Sequence, residues 1–336
     1  MTRKSPTSDL IAAIDMGSNS FHMVVAQILP GASEYRPSES SALKILDTFG
    51  EKVQLAAGLD EQGYLSEDAQ QRAFSTLQLF ADKLTQLKVT HVVAVGTNTL
   101  RIASNSQAFL SRIEQILDCP VRVISGEEEA RLIYQGVSMS QLNTFEQPLS
   151  ERRLVVDIGG GSTEFIIGEG SQPKLIRSLQ LGCVDFGLNY FKGGAITHMG
   201  YDAAVAKAKT ILAPEVSRMC AQGWDVVIGS SGSVKSVQQV AHAAGLQLDV
   251  TTPETLNTLR DKIVELGHCS KLKFDGLRPD RRSIFPAGLA ILEAIFQLLD
   301  IKMMLFSTAA LREGLLYERL LMGAGQVGRV RNNLVS

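Results

Sequence analysis

The stretch Arg153-Leu-Val-Val-Asp-Ile-Gly-Gly-Gly-Ser-Thr-Glu-Phe-Ile-Ile-Gly168 decides how this chain folds. It predicts a buried strand, a glycine turn and a second apolar strand. Because glycine has no Cβ, the backbone N–H groups of such a turn can approach an anion closely. Asp157 and Glu164 flank the turn, and two carboxylates beside a phosphate cradle suit a hard cation. An ordinary tight hairpin is the alternative, but it needs fewer glycines. The candidate anion ligands here are Gly159, Gly160, Gly161, Ser162 and Thr163.

The start of the chain repeats this plan in Ala13-Ile-Asp-Met-Gly-Ser-Asn-Ser-Phe-His-Met23. Asp15, Gly17 and Ser20 form an Asp-x-Gly-x-x-Ser pattern. They precede Asp157, Gly159 and Ser162 of the later stretch by the same number of residues. A weaker repeat relates Val92–Thr97 to Asp225–Ser230. The repetition predicts an internally duplicated α/β protein whose two halves present phosphate-binding turns to a shared cleft. The candidate ligands in the first turn are Asp15, Gly17, Ser18, Asn19 and Ser20.

Two further turns carry phosphate-binding chemistry. Gly96-Thr-Asn-Thr-Leu-Arg101 follows a predicted strand, at the strand end where open α/β sheets bind ligands. Arg101 there suits bidentate binding of phosphate, with a surface ion pair as the alternative. Gly229-Ser-Ser-Gly-Ser233 connects a predicted strand to a helix, whose N-terminus favours anions. The candidate ligands in this turn are Gly229, Ser230, Gly232 and Ser233.

Three consecutive glutamates begin another predicted helix, in Ser125-Gly-Glu-Glu-Glu-Ala-Arg131. A capping box between Ser125 and Glu128 accounts for one carboxylate, and the helix dipole favours acidic residues in a first turn. Three glutamates exceed that structural need. Because successive helical residues point in different directions, one of the three is free to face a binding cleft.

The length of 336 residues predicts two domains, which we assign to 10–135 and 136–320, with a flexible start at 1–9 and a tail at 321–336. The net charge of −2 argues against a nucleic-acid partner. No apolar run approaches the ~18 residues of a membrane helix. The four cysteines form no C-x-x-C pair, which favours free thiols in a reducing cytoplasm.

As a set, these motifs resemble the exopolyphosphatase / guanosine pentaphosphate phosphohydrolase (Ppx/GppA) family. They run in the family's order and extend from residue 10 to about residue 320, at positions 13–23, 96–101, 123–133, 157–164, 229–233 and 310–317. The resemblance implies two ribonuclease-H-like domains around a central phosphate-binding cleft, as in actin, sugar kinases and chaperone ATPases. Long family members continue into a C-terminal helical domain resembling HD phosphohydrolases. This chain stops soon after Tyr317, so we expect the short form or a truncated piece.

The resemblance also implies roles for individual residues. The family's glutamate directly before Ala-Arg, which is Glu129 here, is the expected general base for the attacking water. Asp157 and Glu164 are expected to hold a divalent cation such as Mg²⁺, and Arg101 to offset phosphate charge. The predicted reaction is removal of the terminal phosphate from polyphosphate, from pppGpp (giving ppGpp), or from both, with a homodimer as one option for assembly. The alternatives are a kinase of the same fold, for which no acceptor-activating aspartate is located, and a non-catalytic alarmone or nucleotide sensor.

Overall fold

The structure is a computed structural model that describes residues 10–29, 42–141, 151–246 and 250–321. The strands are β1 (Leu10–Met16), β2 (Ser20–Ile28), β3 (Leu43–Lys52), β4 (His91–Gly96), β5 (Val121–Val123), β6 (Arg152–Ile158), β7 (Thr163–Glu169), β8 (Gln172–Leu179), β9 (Val226–Ser230), β10 (Val250–Thr251) and β11 (Met304–Phe306). The helices are α1 (Glu67–Gln86), α2 (Asn98–Ile102), α3 (Ser106–Leu117), α4 (Gly126–Gln141), α5 (Cys183–Tyr190), α6 (His198–Gln222), α7 (Ser231–Ala243), α8 (Pro253–Leu266), α9 (Phe285–Leu298) and α10 (Leu311–Leu321). None of these helices is long and apolar enough to cross a bilayer.

The first sheet has the strand order β3-β2-β1-β4-β5. Strands β1, β2 and β3 pair antiparallel, whereas β4 and β5 run parallel to β1. Helix α1 packs against this sheet through an apolar stripe that includes Ala73, Leu77 and Leu84, all buried. The helix begins after Ser66, whose side chain accepts a hydrogen bond from the Ala69 N–H. The residues of the stripe recur at spacings of three and four, the pattern of a helix with one buried face.

The second sheet has the strand order β10-β11-β9-β6-β7-β8. Strands β6, β7 and β8 pair antiparallel, and β9 and β11 run parallel to β6. Helix α9 is the centre of the helical layer on this sheet, because nearly every one of its residues is buried against neighbouring helices. Its sequence is apolar all round, as expected of a fully buried helix.

The two sheets confirm the internal duplication. Each contains an antiparallel three-strand meander followed by parallel strands, and each places a glycine turn between its first two strands. Asp15 lies opposite His22 in the first sheet, and Asp157 lies opposite Glu164 in the second. The copies have diverged there, because only the second has a pair of carboxylates. The strand register of the weaker repeat also differs between the two sheets. Gly96 pairs with Met16, the last residue of β1, whereas its counterpart Gly229 pairs with Val156, which is not the last residue of β6.

The chain forms two compact units. One contains β1–β5, α1–α3 and α10, and the other contains Gly126–Ser138 of α4, β6–β11 and α5–α9. The predicted domains, 10–135 and 136–320, divide the chain inside α4 and therefore group the residues differently from these units. One difference arises from tertiary packing: α10 packs on β1, β2 and β4 although it lies at the far end of the sequence. The predicted flexible start at 1–9 and residues 322–336 of the predicted tail lie outside the described residues, whereas Leu321 ends α10.

Candidate active site

Two carboxylates face each other across the β6–β7 hairpin. Asp157 and Glu164 are direct partners in the antiparallel ladder, so their side chains project from the same face of the sheet. Both are buried, with exposed fractions of 8% and 1%. The hydroxyl of Ser230 donates a hydrogen bond to Oδ2 of Asp157. The hydroxyl of Ser178, on the neighbouring strand β8, donates to Oε1 of Glu164 over 2.8 Å. Each carboxylate is therefore oriented by a serine.

A third carboxylate reaches this pair from the first turn of α4. Of the three consecutive glutamates, Glu127 is exposed and Glu128 is partly buried, whereas only 8% of Glu129 is exposed. Burial, together with the charges of Glu129 and Asp157, raises the pKa of the Glu164 carboxyl well above its usual range. The structure thus brings Glu129, Asp157 and Glu164 together within one compact unit.

The glycine turn beside these carboxylates is held from one side. The Gly159 N–H donates to the Ser162 carbonyl over 2.8 Å, which closes the turn. The carbonyls of Gly159 and Gly160 accept hydrogen bonds of 3.0 and 2.9 Å from the N–H groups of Cys183 and Val184, at the start of α5. Within the described part of the chain, no acceptor takes the N–H groups of Gly160 and Gly161. The turn therefore has its carbonyls fixed and two N–H donors left for an anion.

Helix α5 contacts this turn because Gly182 precedes it. A Cβ on Gly182 would lie 2.2 Å from the Gly160 oxygen and 2.3 Å from Gly161 Cα, so no other residue fits without displacement. Sequence reasoning missed both Gly182 and Ser178. The duplication contained the signal for Ser178, because β3 in the first half implies a third strand after β7. Nothing local in the sequence marks Gly182 as a close-approach glycine.

The turn between β9 and α7 contributes one residue to the carboxylate cluster. Ser230 is fully buried and bonds to Asp157, as described above. The missing Cβ of Gly229 makes room for Met304 Sδ and Val234 Cγ1, each 2.6 Å from where that atom would lie. Gly232 makes the same kind of room for the guanidinium of Arg281, and Ser233 Oγ lies 3.5 Å from Cys183 Sγ. Packing alone thus accounts for both glycines, and the prediction that Gly229, Gly232 and Ser233 bind phosphate stays a prediction.

The corresponding turn of the first unit is held by hydrogen bonds from neighbouring segments. Ser18, Asn19 and Ser20 are buried, and Ser18 Oγ accepts a 2.7 Å hydrogen bond from the Thr99 hydroxyl. The Ser18 carbonyl accepts from the Ala56 N–H over 2.9 Å, the counterpart of the bond from Val184 to Gly160. A Cβ on Gly17 would lie 3.1 Å from the Ser20 oxygen, as one on Gly159 would lie 3.0 Å from that of Ser162. The two turns therefore share a backbone geometry.

Arg101 has a backbone partner in the same unit. Its Nη1 donates to the Ile124 carbonyl over 2.8 Å, which fixes the guanidinium at the end of β5. The side chain is only partly buried. That Arg101 binds phosphate stays a prediction.

The carboxylate cluster fits a divalent cation that shares its coordination with a substrate. Within the described ranges, no group of three or more His, Cys, Asp or Glu side chains is arranged to hold a metal by itself. Mg²⁺ commonly binds through one or two carboxylates and completes its shell with water and phosphate oxygens. Asp157 and Glu164 match that pattern, and a cation there would relieve the like charges that surround Glu164.

Comparison with known sequences identifies relatives across most of the chain. Residues 35–322 match the family model described as the "Ppx/GppA phosphatase family". A "Guanosine-5'-triphosphate,3'-diphosphate pyrophosphatase" of Vibrio vulnificus is 43% identical over 313 residues, which are 93% of this chain and 60% of that protein. A protein of the same name from Aliivibrio fischeri is 43% identical over 315 residues, again 60% of its length. The chain thus spans about 60% of the length of these curated relatives.

Solved structures share the fold over nearly their whole length. An exopolyphosphatase from Cytophaga hutchinsonii superposes with a TM-score of 0.80 at 25% identity, covering 93% of this chain and 98% of that one. The Ppx/GppA enzyme of Aquifex aeolicus gives a TM-score of 0.72 at 25% identity, covering 93% and 99%. A nucleoside triphosphate hydrolase from Neospora caninum, at 11% identity and a TM-score of 0.53, shares the fold alone. The α/β fold that the sequence predicts is confirmed.

Proposed function

The chain belongs to the Ppx/GppA phosphatase family, and from this premise we propose that it hydrolyses the terminal phosphoanhydride bond of pppGpp, giving ppGpp and orthophosphate. The observation that carries the proposal is the cluster of Glu129, Asp157 and Glu164 beside a turn with free N–H groups. Identity of 43% to relatives named for the pentaphosphate favours pppGpp over polyphosphate. Polyphosphate is the second candidate, supported by the exopolyphosphatase of similar fold.

In this mechanism the protein positions the reactants and balances charge. The N–H groups of Gly160 and Gly161 bind the terminal phosphoryl oxygens. Glu129 orients a water molecule and takes its proton as the water oxygen attacks phosphorus. The new P–O bond forms as the bond to the bridging oxygen breaks, and that oxygen leaves with its electron pair on ppGpp. Mg²⁺ on Asp157 and Glu164 would offset negative charge on the transferring group.

The surrounding side chains support this assignment of roles. Ser178 and Ser230 donate to the two carboxylates that we assign to the cation, which orients both of them. Glu129 reaches the cluster from a different element, α4, and its own turn carries two further glutamates that stay at the surface or only partly buried. This separation suits a division between cation ligands and a proton acceptor.

The experiment is a side-by-side assay of phosphate release from pppGpp and from long-chain polyphosphate in the presence of Mg²⁺. We expect orthophosphate and ppGpp in equal amounts from the first substrate. Release from polyphosphate alone would assign the second candidate function. Tight binding of pppGpp without phosphate release would instead indicate a sensor, and ADP formation that requires an added acceptor would indicate a kinase.

The cellular setting is part of the same proposal. The free cysteines at positions 119, 183, 220 and 269 fit a reducing compartment such as the cytoplasm. A homodimer, and the exclusion of nucleic-acid and membrane partners, stay predictions.

A further inference from the structure

The middle of helix α4 contacts the far end of strand β7 through Tyr134. Tyr134 is completely buried, and its hydroxyl donates to the Gly170 carbonyl over 3.1 Å. Gly168 lies beneath the ring, because a Cβ on that residue would be 2.4 Å from Tyr134 Cζ and 2.5 Å from its hydroxyl oxygen. The aromatic ring therefore rests directly on the backbone of β7, in a space that exists only because residue 168 is a glycine.

The first turn of the same helix lies near the other end of the same strand. Glu164 is the second residue of β7, and its charge interacts with that of Glu129 on α4. Glu129 and Tyr134 are separated by about 7.5 Å along the helix axis, at about 1.5 Å per residue. Helix α4 thus interacts with β7 at two places, Glu129 with Glu164 and Tyr134 with Gly168. Two such interactions restrict both the sliding and the rotation of the helix over the strand.

The contact between Tyr134 and β7 can oppose the electrostatic repulsion among the carboxylates. The charges of Glu129 and Asp157 both act on Glu164, and like charges repel one another. Repulsion pushes the first turn of α4 away from the cluster, so other contacts must hold the helix in place. Tyr134 supplies a buried ring contact and a hydrogen bond for this, at a distance from the charges themselves.

We infer that Tyr134, seated on Gly168 and bonded to Gly170, is a positioning residue that sets where Glu129 lies over the carboxylate cluster. It touches neither the glycine turn nor the three carboxylates, because it contacts the opposite end of β7. The inference rests on the proposed role of Glu129 as the base. Loosening the attachment should therefore slow the chemical step and leave substrate binding intact.

The test compares Tyr134→Phe and Tyr134→Leu in the full chain, with pppGpp as the substrate. Tyr134→Phe keeps the ring and loses one hydrogen bond, so kcat should fall by about 3–10-fold. Tyr134→Leu loses the ring contact as well, so kcat should fall by up to about 100-fold, the effect of a misplacement of about 1 Å. KM should stay within about 2-fold in both variants, because the phosphate-binding turn is unchanged.

A matched control is available at Tyr201, which is also fully buried in the same compact unit. Its hydroxyl donates to Oε2 of Glu293 over 3.0 Å, remote from the carboxylate cluster in sequence and in hydrogen bonding. Tyr201→Phe and Tyr201→Leu remove the same groups and should lower thermal stability without changing kcat. Glu129→Gln, assayed in parallel, tests the role of Glu129 as the base, and phosphate release by the wild-type protein tests the proposed function.

The measured kcat and KM values distinguish a positioning role of Tyr134 from a merely structural one. The inference is supported if kcat falls in Tyr134→Phe and falls further in Tyr134→Leu, while KM is unchanged and the Tyr201 variants keep the wild-type kcat. A Tyr134→Leu protein with wild-type kcat overturns it, as does an equal loss in Tyr201→Leu or a KM that rises as kcat falls. If Glu129→Gln retains full activity, the role of Glu129 as the base fails, and the positioning role of Tyr134 fails with it; the proposed function fails only if the wild-type protein releases no phosphate from pppGpp.

Discussion

Replacing Gly182 with alanine tests whether the start of α5 holds the glycine turn in its active geometry. The added Cβ would lie 2.2 Å from the Gly160 oxygen, whereas ordinary contacts begin at 3.4 Å. The turn or the helix must therefore move by roughly 1.2 Å, and both neighbours are backbone that cannot rotate away. Gly182 has φ −121° and ψ 145°, a conformation that alanine adopts freely, so the effect is purely steric.

The expected result is a loss of both catalysis and stability. A displacement of about 1 Å at the phosphate-binding turn should lower kcat/KM for pppGpp by about 100-fold. Overpacking at a backbone contact should lower the free energy of unfolding by about 1–3 kcal/mol. Phosphate release and urea unfolding measure the two effects on the same preparation.

The matched control is Gly187→Ala in the same helix. Its Cβ would meet only the Ser283 oxygen, at an ordinary 3.5 Å. Alanine is favoured over glycine inside a helix, so this variant should keep full activity and gain up to about 1 kcal/mol of stability. If Gly182→Ala behaves like Gly187→Ala in both assays, then close packing of α5 on the turn is not needed, and our account of how the turn is held is refuted.

Two other predictions concern buried charge. Because the pKa of Glu164 is raised above its ordinary value of 4.5, the folded protein keeps a proton that the unfolded chain loses, so without Mg²⁺ the free energy of unfolding should fall as pH rises above that value. Glu164→Gln should flatten this decline, which is measured as the melting temperature at a series of pH values above 4.5, and a decline that is equal in both proteins would contradict the assignment. Arg153 is 2% exposed, and its Nε and Nη1 have no hydrogen-bond partner in the described structure, so Arg153→Met should raise the free energy of unfolding by about 1–3 kcal/mol. Denaturant unfolding checks this, and a loss of stability would show that the guanidinium is satisfied.

Much of the site was predictable because its signals are local. A strand, an aspartate, a run of glycines and a second strand specify a hairpin with a phosphate-sized turn, and the repeat specified the second copy. The choice of Glu129 among three glutamates came from family resemblance, and burial in the structure agrees with it. Helical geometry alone left that choice open, because the side chain that faces the cluster depends on how α4 packs on β7.

The parts that were missed depend on contacts between segments far apart in sequence. Strand β8 contains Pro173 and alternates weakly, so its pattern does not stand out. Helix α5 is short and contains Gly187. The role of Gly182 follows only from the approach of Gly160, and that of Gly168 only from the ring of Tyr134. The grouping of α10 with the first sheet likewise arises from packing that no local pattern encodes.

We propose that Glu129 is the proton acceptor in hydrolysis of a terminal phosphoanhydride. The most direct measurement is the rate of phosphate release from pppGpp by Glu129→Gln, with Glu127→Gln as the control, because Glu127 lies in the same helical turn but is exposed. We expect Glu129→Gln to lower kcat by about 10²–10⁴-fold with an unchanged melting profile, and Glu127→Gln to match the wild type. Phosphate release by Glu129→Gln at the wild-type rate would contradict it.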